Sequence, residues 1–149
     1  MTDSPKQHKR KLVYIPMAVD ILHPGHLNII KEGQKLGEVV VGLMTDEALI
    51  SYKRTPFMEY KLRHEVIKNV KGVDRVIAQT TLDYRPNLRK LKPDYFVHGT
   101  DWRSGVMQAP RQQAIDTIKE WGGKLVEPKY TEDISSTAMY EKLKASILE

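Results

Sequence analysis

The 149-residue sequence has no cysteine, only two phenylalanines and two tryptophans, and no apolar run near the roughly 20 residues that span a bilayer. Without cysteine there are no disulfides, no zinc–thiolate sites and no cysteine nucleophile. The N-terminus is polar and basic and lacks the apolar stretch of a secretion signal, so a cytoplasmic location is expected. Excess charge is also scarce. Lys6, Lys9, Arg10 and Lys11 against Asp3 supply more than half of the net +5. The remaining chain is too nearly neutral for a nucleic-acid-binding face, and neither a nucleic-acid nor a membrane partner is expected. Residues 1–10 read as a basic, flexible tail and residues 11–149 as one domain. With 40% hydrophobic and 29% charged residues, that domain is soluble and globular.

Strand-like and helix-like segments alternate along the chain. Leu12–Met17 reads as a strand, Gly25–Leu36 as a helix closed by Gly37, and Glu38–Thr45 as a buried strand. Asp46 is placed to cap a short helix, Glu47–Ser51. Met58–Val70 is the clearest helical pattern, with Leu62, Val66, Ile67 and Val70 aligned. Strands follow at Arg75–Gln79, Tyr95–Val97 and Lys124–Glu127, with helices at Pro86–Leu91, Ala109–Trp121 and Ser136–Ile147. Five strands separated by helices predict an α/β fold. It is a doubly wound, five-stranded parallel sheet of Rossmann-like order 3-2-1-4-5, with helices on both faces. Ligands of such sheets bind beyond the carboxyl ends of the strands, and the chemically rich residues fall in those loops.

His23-Pro24-Gly25-His26 follows the first strand at the mouth of the first helix. Gly25 permits close approach of a ligand, and the helix start offers unpaired N–H groups to an anion. Two imidazoles there suit a phosphoryl group; a divalent-metal pair and a plain surface turn are the other readings. Thr131 to Thr137 brings Ile134, Ser135, Ser136 and Thr137 to the start of the last helix, where one hydroxyl suffices for a cap. The others are available to phosphate oxygens. His98-Gly99-Thr100-Asp101-Trp102-Arg103 combines acceptor, indole and guanidinium groups suited to a nucleobase. Tyr52-Lys53-Arg54 places two cations in a loop that could close over a triphosphate, although such pairs are often simply solvated. The predicted strand order gathers these loops on one edge, which points to nucleoside triphosphate chemistry.

On these motifs the chain resembles the HxGH nucleotidyltransferases, and within them the small cytidylyltransferases, from about Leu12 to Leu143. His23–His26 matches HxGH, Gly99–Trp102 resembles GxDW, and Thr131–Thr137 resembles RTxGISTT. Met17-Ala18-Val19-Asp20 keeps only the aspartate of the family's G-x-F-D, and Tyr130, beside Lys129, stands in place of the arginine of RTxGISTT. The runs Asp20–Glu32, Ser51–Arg54 and Glu127–Thr131 are similar to the cytidylyltransferase domain joined to phosphoenolpyruvate mutase in phosphonate antibiotic (fosfomycin-type) biosynthesis.

The resemblance implies transfer of CMP from CTP to a small phosphonate, foremost 2-hydroxyethylphosphonate, with release of pyrophosphate. Glycerol-3-phosphate and 2-aminoethylphosphonate are alternative acceptors. An adenylyltransferase of the same superfamily and a non-catalytic nucleotide-binding module are the other readings. His23, His26 and Lys53 are the implied catalytic residues. Met17, Ala18, Asp20, Gly25, Gly99, Asp101, Trp102, Ile134, Ser135, Ser136 and Thr137 are implied to bind nucleotide, and Arg63, Lys129 and Tyr130 the acceptor. Mg²⁺ is expected to ride on the triphosphate, with no protein ligand assigned. A homodimer, and a following phosphoenolpyruvate mutase domain in the full-length protein, also belong to what the resemblance implies.

Overall fold

The computed structural model describes residues 10–129, 131, 132 and 134–148, so the tail expected at residues 1–10 lies outside it except for Arg10. The elements run β1 (Leu12–Met17), α1 (Pro24–Leu36), β2 (Glu38–Met44), α2 (Asp46–Ile50), α3 (Tyr60–Lys68), β3 (Arg75–Gln79), α4 (Arg85–Leu91), β4 (Tyr95–Val97), α5 (Gln108–Ile118), β5 (Lys124–Val126) and α6 (Ser136–Ile147). All strand pairs are parallel, and the sheet order is β3-β2-β1-β4-β5.

Strand periodicity explains why helices cover both faces. Side chains alternate across a sheet, and Val13, Ile15, Val39, Val41 and Leu43 share one cluster with Ile30 of α1 and Ile67 of α3. Tyr14, Val40 and Phe96 point the other way, against Leu88 of α4 and Ala114 and Ile118 of α5. β1 is central, paired to both β2 and β4, so its end and the end of β4 lie side by side at the switch in strand order. No helix among the described residues is long and apolar enough to cross a membrane.

Several local expectations change. Gly37 is not a left-handed helix terminator: its φ of 164° is extended, and a Cβ there would lie 2.0 Å from the Lys11 carbonyl oxygen. The cap of α2 is Thr45, whose hydroxyl accepts from the Ala48 amide at 3.2 Å, and this frees Asp46 for other use. α3 is shorter than its apolar pattern suggests and turns a different face inward. Leu62 and Val66 are exposed, whereas Arg63 and Ile67 are buried.

Candidate active site

Beyond β1 the chain turns sharply through Val19, a buried β-branched residue held at φ 53°, a sparsely populated region for such a side chain. The turn buries the Asp20 carboxylate, which accepts from the Phe57 and Met58 amides at 2.9–3.2 Å. Asp20 thus ties the end of the loop after α2 to the end of β1. It does not border the cavity described below.

His23 is the N-cap of α1, and its Nδ1 accepts from the Gly25 amide at 3.0 Å. His26 reaches back, its Nδ1 accepting from the His23 amide at 3.2 Å. Both Nδ1 lone pairs are therefore used by backbone, which assigns the proton of each neutral ring to Nε2. Burial, then the charge of Lys53, lowers the His23 pKa. Burial, then His23 and Lys53, brings that of His26 to about 3. At neutral pH the pair presents two uncharged N–H donors with ring centres 4.0 Å apart. Gly25 is required for this: a Cβ there would lie 2.6 Å from Cε1 of His23.

The mouth of α6 faces this pair. Ser135 is the cap, its Oγ accepting from the Ala138 amide at 2.9 Å. Ser136 and Thr137 have no part in that bond. Lys53 Nζ donates to Ser136 Oγ at 3.2 Å, and Arg54 Nη1 lies 3.4 Å from Thr137 Oγ1 while its guanidinium sits 4.7 Å above the Tyr140 ring. Asn28 Nδ2 of α1 donates to Thr131 Oγ1 at 3.0 Å, joining segments 103 residues apart. Burial, followed by Arg54, holds the Lys53 ammonium below its ordinary pKa despite the opposing pull of Asp101 and Asp20.

The third wall follows β4. Trp102 is buried and lies parallel to His98, with ring centres 3.8 Å apart. Its indole N–H donates to Glu127 at 2.7 Å, and Arg103 and Arg111 also bind that carboxylate at 2.9 Å. Arg111, with help from Arg103 and Trp102, lowers the Glu127 pKa to about 2 against the cost of burial. Arg103 is therefore engaged in holding Trp102's partner.

These walls enclose a cavity of ≈ 510 Å³, within the range of small-ligand sites. Of the residues predicted from sequence, Met17, Ala18, His23, Gly25, His26, Lys53, Gly99, Asp101, Trp102, Ser135, Ser136 and Thr137 line it. Arg63, expected to bind the acceptor, does not line the cavity. It is fully buried and donates to the carbonyls of Met58, Ala18 and Met44 and to Asp46 Oδ1, at 2.6–2.8 Å. Ile134 is half-buried and does not border the cavity, and Lys129 is exposed, 3.8 Å from Glu132. Tyr130 lies outside the described residues. Tyr84 and Met107, which no motif named, also line it, as does His98, which was noted in the nucleobase segment without an assigned role. His98 had a signal, since it directly precedes Gly99 at the end of a strand. Tyr84 and Met107 reach the cavity only through packing of the loop before α4 and the turn before α5, which no motif marks.

A family model described as cytidylyltransferase-like matches residues 18–142. The chain is 38% identical to the FAD synthase of Methanopyrus kandleri over 55% of this chain and 57% of that protein. It is 29% identical to the ethanolamine-phosphate cytidylyltransferase of Arabidopsis thaliana, over 97% of this chain and 35% of that one. It is 28% identical to the bifunctional protein HldE of Pseudomonas fluorescens, over 95% and 29%. It thus spans between roughly three-tenths and three-fifths of the length of these curated relatives. Among solved structures, the lipopolysaccharide core biosynthesis protein of Thermoplasma volcanium is similar at a TM-score of 0.67 and 26% identity, covering 82% of this chain and 97% of that one. The pantothenate synthetase of Thermus thermophilus shares the fold, at a TM-score of 0.64 and 14% identity over 92% and 65%.

Proposed function

The chain belongs to the cytidylyltransferase-like family, and from that premise we propose that it transfers CMP from CTP to an anionic oxygen of a small phosphorylated acceptor, releasing pyrophosphate. The observation that carries the proposal is the pair of uncharged Nε2–H donors of His23 and His26, held by backbone opposite Lys53 and the α6 mouth.

The chemistry asks little beyond alignment and charge stabilisation. The acceptor oxygen is already an anion, so its attack on the α-phosphorus needs no general base. Attack in line with the departing pyrophosphate forms one P–O bond as another breaks. His23 and His26 donate to the α-phosphoryl oxygens, where negative charge builds in the transition state. Being uncharged, they bind there without a strong prior ion pair that would stabilise the ground state equally. Lys53 and the Ser136 and Thr137 hydroxyls receive the β- and γ-phosphates with the first amides of α6. The nucleoside lies toward Gly99, Asp101 and Trp102.

Among the described residues no group of three or more His, Asp or Glu side chains is arranged to hold a metal. Magnesium bound to the triphosphate oxygens would neutralise part of their charge, and no residue of the chain is assigned to hold it.

The relative named for ethanolamine phosphate supports a phosphate monoester as acceptor. The narrower reading, 2-hydroxyethylphosphonate, rests on motif resemblance alone, and of the residues nominated to bind it Arg63 is fully buried. The similarity to FAD synthase supports a second reading, adenylyl transfer from ATP. The test is pyrophosphate release with CTP or ATP against ethanolamine phosphate, glycerol-3-phosphate, 2-aminoethylphosphonate and 2-hydroxyethylphosphonate. Turnover with CTP and a monoester is expected. Turnover only with ATP would replace the nucleotide assignment, and CTP binding without pyrophosphate from any acceptor would make the domain a binding module.

A further inference from the structure

We propose that His98 selects the nucleobase: its Nε2 accepts a hydrogen bond from an exocyclic ring amino group, so the cavity takes cytosine and rejects uracil. The inference rests on the nucleotide reading given above. It starts from the tautomer. His98 Nδ1 lies 2.8 Å from the Gly99 carbonyl oxygen, which can only accept, so Nδ1 carries the proton. Asp101 Oδ1, 3.8 Å from the same nitrogen, favours the same assignment. Nε2, on the other side of the ring, is then a bare lone pair. Burial, the largest influence on this imidazole, lowers its pKa and keeps that lone pair unprotonated.

This polarity is the reverse of that of His23 and His26, whose Nδ1 atoms accept and whose Nε2 atoms donate. One cavity therefore holds two histidine donors after β1 and a histidine acceptor after β4. Nε2 of His98 has no hydrogen-bond partner among the described residues, yet it is not sealed in. The one described side-chain polar atom that is both buried and unpartnered is Arg54 Nε. The His98 side chain is 14% exposed and borders the cavity.

The ring is also held against rotation. It stacks on Trp102 at an interplanar angle of 6°, and Trp102 is pinned through its indole N–H to Glu127. Flipping His98 would forfeit the bond to Gly99. A fixed acceptor bordering the cavity discriminates between pyrimidines at carbon 4. Cytosine presents N–H there, whereas uracil presents an oxygen whose lone pairs oppose that of Nε2. A buried site built to receive a donor rejects the analogue that lacks it more strongly than a hydrophobic pocket rejects a change in size.

Calorimetric titration of the whole chain with the magnesium salts of CTP, UTP and pyrimidin-2-one riboside triphosphate tests the proposal. The last compound has only hydrogen at carbon 4. CTP is expected to bind roughly tenfold or more tightly than either analogue. His98→Asn keeps a donor for Gly99 and has no atom at the Nε2 position, so CTP should weaken to the level of UTP while UTP changes little. His98→Gln extends an amide that can present either its oxygen or its nitrogen, so both nucleotides should bind with a ratio near one. Equal weakening of CTP and UTP in His98→Asn, or a change confined to the acceptor KM, overturns the proposal. If that variant does not fold by circular dichroism, the pyrimidin-2-one compound decides on the wild-type protein, and binding equal to that of CTP refutes it. Selectivity for CTP without pyrophosphate release would preserve the role of His98 and remove the enzymatic reading. Equal kcat/KM for CTP and UTP would do the reverse.

Discussion

Each imidazole of the histidine pair does two jobs with two nitrogens, and substitution separates them. His26 closes the start of α1 through Nδ1 and offers Nε2–H to the cavity. In His26→Asn the side-chain oxygen stands close to the place of Nδ1, so the bond from the His23 amide is retained and the distal donor is lost. In His26→Gln the amide reaches the place of Nε2, so a donor is retained and the bond to the backbone is lost. Losing a preorganised donor to a developing oxyanion costs about 10²–10³ in kcat. Losing a helix cap costs about 1 kcal/mol, or roughly 2–4 °C in Tm for a domain of this size. The asparagine variant should therefore lose two to three orders of magnitude in kcat with Tm nearly unchanged. The glutamine variant should lose a few degrees and keep most of its turnover. Pyrophosphate release and thermal unfolding followed by circular dichroism measure both. If asparagine supports turnover and glutamine does not, Nδ1 is the working atom and the tautomer assignment is wrong.

The His26 pKa of about 3, against an ordinary 6.5, gives a pH signature. The unfolded chain takes up a proton as pH falls through 6.5 while the folded chain does not, so stability falls on acidification. The slope reaches about 1.4 kcal/mol per pH unit, or roughly 2 kcal/mol by pH 5, and His26→Phe should flatten it in urea titrations. Arg63→Met should cost about 3–5 kcal/mol by urea denaturation, because Asp46 and three carbonyls lose a buried partner. An unchanged midpoint with a raised acceptor KM would return Arg63 to the site. Gly25→Ala drives a methyl group to 2.6 Å from the His23 ring and should lower kcat by about 10²-fold through displaced donors. A normal kcat would show that the ring can yield without loss.

The sheet was legible in the sequence because each strand is an apolar run of the right length, and the expected order is the one observed. The histidine pair and the hydroxyls of the last loop were legible because they follow strands and open helices. Arg63 was not. On a helical projection an arginine between apolar residues reads as solvent-facing, and the carbonyls of Ala18, Met44 and Met58 together with the Asp46 carboxylate, all outside the helix, draw it inward. The partners of Asp20 were not legible for a similar reason: the amides it binds belong to Phe57 and Met58, 37 and 38 residues away. His98 stood in the segment marked for a nucleobase, but its own role was not legible, because its tautomer is fixed by a neighbouring carbonyl.

The last helix is fastened at one end. Its opening turn holds the bonds to Lys53 and Arg54 and the contact of Phe57 with Tyr140, while Leu143, Ile147 and Leu148 stand largely exposed. A triphosphate seated at Ser136 and Thr137 would add fastening at the same end, and by linkage its binding energy would be shared with the docking of the helix. Amide hydrogens in the first turns of α6 should then exchange more slowly when CTP is present, while those near Ile147 keep the rates of a frayed end. The substrate would complete the tertiary structure at the point where it reacts, and the protection pattern would show how far along the helix that influence extends.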